Sequence, residues 1–169
     1  VVRLSKSSAL FLEEMLPKGN RIQKEESYQK LVEQIHSPER AKWRVPDNVN
    51  ARLRPYQVVG FQWLKTLAYY GMGGILADDM GLGKTLQAIV YICSNPGDKS
   101  LVVCPTSLAY NWQDEFEKFA PHIKTCIVSG SPEERRAALD GAGEADVVIT
   151  TYPLIRKDIE WYREFEFHH

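Results

Sequence analysis

The residues of this 169-residue chain best suited to chemistry are gathered in "DDMGLGKT", residues 78–85. Gly81 and Gly83 lack side chains, so backbone N–H groups from Asp79 through Met80, Gly81, Leu82 and Gly83 can close on phosphate oxygens. A helix that begins near Lys84 adds the positive end of its dipole. Lys84 then reaches the β- and γ-phosphates, and Thr85 offers a hydroxyl to Mg²⁺. This is a grip for a nucleoside triphosphate. The spacing departs from G-x-x-x-x-G-K-[ST], because Asp78 stands where the first glycine is usual. "GILADD" also imitates the apolar run ending in an acid that holds Mg²⁺ in many NTPases. Since the loop follows at once, Asp78 and Asp79 read as loop-shaping residues that orient either Lys84 or a metal-bound water. An ordinary glycine-stabilised turn is the plainer alternative, and it leaves Lys84 without a reason.

Such a loop needs a strand to deliver it and a helix to receive it. "GILA" reads as the strand and "KTLQAIVYICS" as the helix, stopped by the turn "NPGD". Upstream, "PYQVVGFQWLKTLAYYG" is an amphipathic helix with Pro55 in its first turn and Gly71 past its end. Downstream, "SLVVCP", "IKTCIVSG" and "DVVITT" are further strands. Between and after them come helices in "SLAYNWQDEFEKFA", "SPEERRAALD" and "PLIRKDIEWYREF". Ser131 before Pro132, with two acids in the first turn, marks a helix start. Short apolar strands alternating with helices predict an α/β fold with a parallel sheet covered by helices on both faces.

Residues 1–50 read differently. A short β-like run and a helix capped by Ser7 or Ser8, with apolar Leu12, Met15 and Leu16, precede the break "PKGN". Then "KEESYQKLVEQIH" places Tyr28, Leu31, Val32 and Ile35 on one face. "RVPDNVNARLRP" is a linker, with a boundary near Asp47 to Asn50. The expected division is a small, mainly helical accessory segment over 1–50 and a nucleotide-binding part over 51–169, the accessory segment packing on the motor lobe.

The formal charge of −1 conceals an asymmetry. Residues 1–70 carry 12 Lys+Arg against 7 Asp+Glu, and residues 71–169 carry 9 against 15. No blanket of positive charge exists to hold a polyanion by electrostatics alone. Apolar runs fall short of the roughly 18 to 20 residues that span a bilayer, and no signal peptide pattern is present, so a cytoplasmic location without membrane contact is expected. Cys93, Cys104 and Cys126 lack C-x-x-C spacing and read as buried thiols.

Four ordered stretches together resemble the Swi/Snf (Snf-two) family of helicase-like, DNA-dependent ATPases of superfamily two. "LRPYQVVGFQWL" resembles the family's glutamine motif, and "ILADDMGLGKTLQAI" its phosphate loop. "LVVCPTSLAYNWQDEFEKFAP" and "DVVITTYPLIRKD" resemble the two motifs that follow. The likeness runs from about Arg52 to the end. Before it, the chain is similar only loosely to the variable segment preceding the motor in bacterial-type members, which would place it at the nucleoid. The resemblance implies the first part of an incomplete RecA-like P-loop lobe that takes ATP and Mg²⁺. It implies that Gln57 reads adenine, since an amide both donates and accepts. Tyr56 either lies against the base or packs. Pro105, Ser107 and Thr150 or Thr151 would line the face that tracks double-stranded DNA through phosphate oxygens, without reading bases. Trp112 joins Leu108, Phe116 and Phe119 in an apolar stripe and reads as core, while Asp114 and Glu115 read as solvated surface.

In the family the catalytic acids lie in an Asp-Glu box on the strand after the Thr-Tyr motif and its helix, and an arginine comes from a second RecA-like lobe. "FEFHH" stands where that strand would begin; His168 and His169, native or from a tag, have no metal-ligand partner at useful spacing. A chain with only the cradle is expected to bind nucleotide far better than it cuts it. The leading expectation is a piece of an ATP-dependent translocase that remodels protein–DNA complexes. Rivals are a strand-separating DNA or RNA helicase, a non-catalytic nucleotide-binding scaffold and a metabolic P-loop kinase.

Overall fold

The computed structural model describes residues 26–40 and 43–169, and they fall into two compact units. The expected strand and helix over residues 1–16 lie outside the described residues. One unit holds the described residues up to Arg44 together with Leu53–Leu82; the other holds Val45–Arg52 and Gly83–His169.

In the first unit, helix α1 (Glu26–His36) buries Leu31 and leaves its charged side in water. It packs on helix α2 (Pro55–Tyr69), whose boundaries follow from its sequence. Pro55 occupies the first turn, where its missing N–H costs nothing. At the other end the Met72 N–H reaches the Leu67 carbonyl and the Gly71 N–H the Ala68 carbonyl, both at 2.9 Å. With Gly71 at φ +67°, that is a Schellman stop. Side chains join the accessory segment to α2. The Trp43 indole N–H donates to the Thr66 hydroxyl at 3.1 Å, and the Tyr70 hydroxyl to Gln34 Oε1 at 2.6 Å. Within the first unit, the described residues of α1 and Trp43 therefore pack on α2. The chain then folds back so closely over Trp63 and Leu67 that a Cβ at Gly74 would overlap both side chains.

The "GILA" segment forms no strand: residues 73–79 are irregular, and Ile75 is 86% exposed. A β-strand is stable only with a neighbour to pair its backbone and a layer to cover its side chains, and local propensity supplies neither.

The second unit contains the sheet. Strands β1 (Ser100–Cys104), β2 (Thr125–Ile127) and β3 (Val147–Thr151) are parallel in the order β1-β3-β2. β3 is central, and each of its five residues is buried. Its β-branched sequence "VVITT" suits a strand covered on both faces. Val148 packs with Val128, Leu139, Ala142 and Tyr162, in a layer built by helix α5 (Pro132–Asp140) and the short helix α7 (Ile159–Tyr162). Alternation turns Val147 and Ile149 to the opposite face, on the side where helix α4 (Ala109–Phe119) packs. Helix α3 (Lys84–Cys93) lies against α4 with Ile89 and Val90 fully buried. The parallel sheet flanked by helices is the expected α/β architecture. Burial pushes the Cys93 thiol up to about 11 and raises Cys104 and Cys126 as well, in keeping with structural cysteines.

Three local departures have physical causes. Leu108 stands exposed on a 3₁₀ turn, while Trp112, partly buried, packs on the fully buried Phe116 at 6.2 Å between rings. The linker Val45–Arg52 belongs to the second unit, held by the Asn50 N–H on the Phe119 carbonyl at 2.7 Å. The helix expected over "PLIRKDIEWYREF" is divided at Asp158 into helix α6 (Tyr152–Lys157) and α7. The chain's last residues run along the outer side of β1: the His168 N–H donates to Lys99 and the Leu101 N–H to His169, each at 2.8 Å. No group of three metal-ligating side chains occurs among the described residues, and none of their helices is long and apolar enough to cross a membrane.

Candidate functional site

In "DDMGLGKT" the residues up to Leu82 belong to the first unit, and Gly83, Lys84 and Thr85 belong to the second. On the first side, Gly81 has φ +84°, a conformation that an L side chain reaches only with strain. The Leu82 N–H turns back to the Asp79 carbonyl at 3.4 Å, and Met80 is 96% exposed at the tip. On the second side, Gly83 is left-handed at φ +75° and caps α3. Lys84 and Thr85 are therefore the first two residues of a ten-residue helix, where N–H groups have no partner within the helix. A left-handed glycine followed by a cation and a hydroxyl on the tip of a ten-residue helix is a donor set suited to phosphate and a hard cation. The residues present fit both groups.

The glutamine expected at the base lies at the root of this loop. Gln57 is buried in the first turn of α2, where its Oε1 accepts the Arg54 N–H at 2.9 Å. Its Nε2 donates to the Leu82 carbonyl at 3.1 Å, and the Tyr56 hydroxyl reaches the same carbonyl at 3.3 Å. Tyr56, Gln57 and Leu82 are thereby brought together. The convergence on one backbone carbonyl has no signature in the sequence. A primary amide has two N–H bonds and two lone pairs, so Gln57 retains one donor and one acceptor for a base edge.

The second pair of motifs meets at the sheet. Cys104 of β1 is in register with Thr151 of β3, so Pro105 and Tyr152 leave the sheet side by side at its carboxyl edge. Pro105, Thr106 and Ser107 are exposed, as are Tyr152, Arg156 and Lys157. Thr150 and Thr151 are 0% and 2% exposed, and the Thr151 hydroxyl has no hydrogen-bond partner within the described residues. Asp114 is exposed on α4 and Glu115 half-buried, consistent with surface residues. Sequence reading passed over Arg135, which is buried against Asp158. The signal was present in its helical phase: Arg135 stands one turn before the fully buried Leu139.

A helix-flanked parallel sheet and a glycine-bent G-K-T loop opening a helix define an incomplete RecA-like P-loop lobe. The SNF2-related domain model matches residues 56–169, and the chain belongs to that family of ATP-binding, helicase-like domains. It is 34% identical over 156 residues to the TATA-binding protein-associated factor MOT1 of Saccharomyces cerevisiae, covering 82% of this chain and 8% of that protein. To the transcription regulatory protein SNF2 of the same yeast it is 44% identical over 117 residues, 65% of this chain and 7% of that protein. Among solved structures, the SWI2/SNF2 ATPase core of Sulfolobus solfataricus in complex with dsDNA is similar at TM-score 0.63 and 36% identity, over 75% of this chain and 27% of that one. The chain thus spans about a tenth of the length of the curated relatives it matches. Family ATPases generically use ATP and Mg²⁺.

Proposed function

We propose that this chain is the ATP-gripping part of an ATP-dependent translocase on double-stranded DNA, whose whole motor includes a second RecA-like lobe and acts on protein–DNA complexes. Residues 51–169 form the beginning of the motor's first lobe, and residues 1–50 are an accessory segment. The loop supports the reading most strongly: Gly81 and Gly83, both left-handed, deliver Lys84 and Thr85 onto the tip of α3. In this reading the amides of Asp79, Met80, Gly81, Leu82 and Gly83 cradle the phosphates, Lys84 holds the β- and γ-oxygens, and Thr85 ligates the metal. Mg²⁺, when bound, neutralises charge on the β- and γ-phosphates. Gln57 reads the adenine edge and Tyr56 lies beside it.

The carboxyl edge of the sheet follows the nucleic acid. Pro105 and Ser107 meet the backbone directly, with Thr150 and Thr151 shaping the neighbouring strand end, and the dsDNA held by the Sulfolobus relative supports that partner. A cytoplasmic site of action, at the nucleoid in a bacterium, belongs to the same proposal. A bacterial-type assignment has support in a Mycoplasma genitalium relative described as an ATP-dependent helicase, 38% identical over 122 residues. The yeast and archaeal likenesses favour no such narrowing.

The 169 residues contain the cradle but no acidic pair on a strand after the Thr-Tyr motif. The expected result with Mg²⁺ and ATP is therefore saturable nucleotide binding, with phosphate release near background whether or not a DNA duplex is added. Robust duplex-stimulated release by the purified chain would contradict the separation of grip from chemistry, and absence of nucleotide binding would contradict the function itself.

A further inference from the structure

Between α5 and the segment that follows β3 lies a buried ion pair that neither the nucleotide grip nor the strand-facing residues use. Arg135 of α5 and Asp158, between α6 and α7, have side chains only 6% and 5% exposed. The guanidinium meets the carboxylate with both arms, Nε to Oδ2 at 2.5 Å and Nη2 to Oδ1 at 2.9 Å. Its remaining arm, Nη1, donates to the Gly130 carbonyl at 2.8 Å. Gly130, at φ +90°, forms the turn that leads into α5.

Asp158 is the hinge residue of its own segment. Its N–H closes α6 on the Leu154 carbonyl at 3.0 Å, and its carbonyl accepts the Trp161 N–H at 2.9 Å, which begins α7. One side chain of α5 thus fixes the turn after β2 and the α6–α7 junction together. Tyr162 of α7 packs in the apolar layer with Val148, and burial raises the pKa of its hydroxyl.

Stability alone is a weak reason for such a pair, because apolar residues of similar size commonly serve a buried site equally well. The two-armed geometry does supply direction: a fork on a carboxylate admits one orientation, unlike a point charge or a methyl contact. The element most in need of direction is α6. It has six residues, too few to hold a helix unaided, and its N-terminus has no side-chain cap. It also carries the exposed Tyr152, Arg156 and Lys157.

We propose that Arg135 and Asp158 are positioning residues that set the orientation of α6, so that Tyr152, Arg156 and Lys157 are presented beside Ser107 to the phosphate backbone of a DNA duplex. This rests on the reading of the carboxyl edge as the strand-following face. Arg135 and Asp158 act through α6 and touch no ligand themselves.

Hydrogen exchange and duplex affinity, measured on the same 169-residue chain, test the two levels separately. In Arg135→Met with Asp158→Leu, the amides at the end of α6, Asp158 foremost, should exchange at least tenfold faster, while those of β3 and α3 keep their protection. Affinity for a labelled duplex of mixed sequence at low salt should fall at least threefold. Arg135→Lys, which retains the charge and loses the fork, should show the same pattern in weaker form, and it decides the question should the apolar double variant not fold. Unchanged α6 exchange, or faster exchange spread evenly over the unit, would overturn the positioning role. Selective loosening of α6 with unchanged duplex affinity would overturn its presentation to DNA. Failure of the unsubstituted chain to bind the duplex would overturn the strand-following reading itself, and with it that presentation.

Discussion

Gln57 spends one amide on two backbone groups, the Arg54 N–H and the Leu82 carbonyl. Its place ahead of the loop was legible through the resemblance of "LRPYQVVGFQWL" to the family's glutamine motif, and an amide that both donates and accepts suits the base edge which that resemblance implies. Its tie to Leu82 was not, since any residue's carbonyl would look the same in a sequence. Gln57→Ala removes both internal bonds and the remaining donor and acceptor. Binding of ATP is expected to weaken roughly tenfold, about 1.4 kcal/mol, with the preference for ATP over GTP falling toward one. Paired titrations of the two nucleotides check this. A retained preference would show that Gln57 is only a structural tie. Arg135 and Arg136 make the complementary point: adjacent and identical, they are separated only by helical phase, one buried with Leu139 and the other paired with Asp140 and Glu164 at the surface.

The helices that announced themselves in the sequence did so through their ends. Pro55 and Gly71 bracket α2, and Ser131 with Glu134 opens α5 by a reciprocal pair of bonds, 3.2 Å from the Glu134 N–H to the Ser131 hydroxyl and 2.7 Å from the Ser131 N–H back to the carboxylate. These signals are local, so a single chain contains all of them. Strands differ. β3 was readable as a strand because five successive residues of high β-propensity suit one buried on both faces, though its central place was not legible, whereas "GILA" has the composition of a strand and lacks a partner among the described residues. The division at Asp158 was hidden because a charged residue in a helical pattern suggests a wet face, and here it is buried against a distant arginine. Ser131→Ala is expected to destabilise the second unit by about 1 kcal/mol, seen as a melting temperature lower by roughly 5 °C. An unchanged melting curve would mean that the reciprocal bonds add nothing to α5.

At the scale of the whole chain, the second unit carries both the helix tip with Lys84 and Thr85 and the edge where β1 and β3 end together. The formal charge of −1 over the 169 residues supplies no general positive field, so the proposed strand-following face would act through a few placed donors. The proposed function ties these features to an ATP-driven motor, and the claim beneath all of them is that Lys84 holds nucleotide phosphate. Calorimetric titration of Mg²⁺-ATP into the chain and into Lys84→Ala measures this most directly. Loss of one charge-assisted contact predicts affinity lower by roughly 10- to 100-fold with an unaltered circular dichroism spectrum. Equal affinity in the two proteins would contradict it.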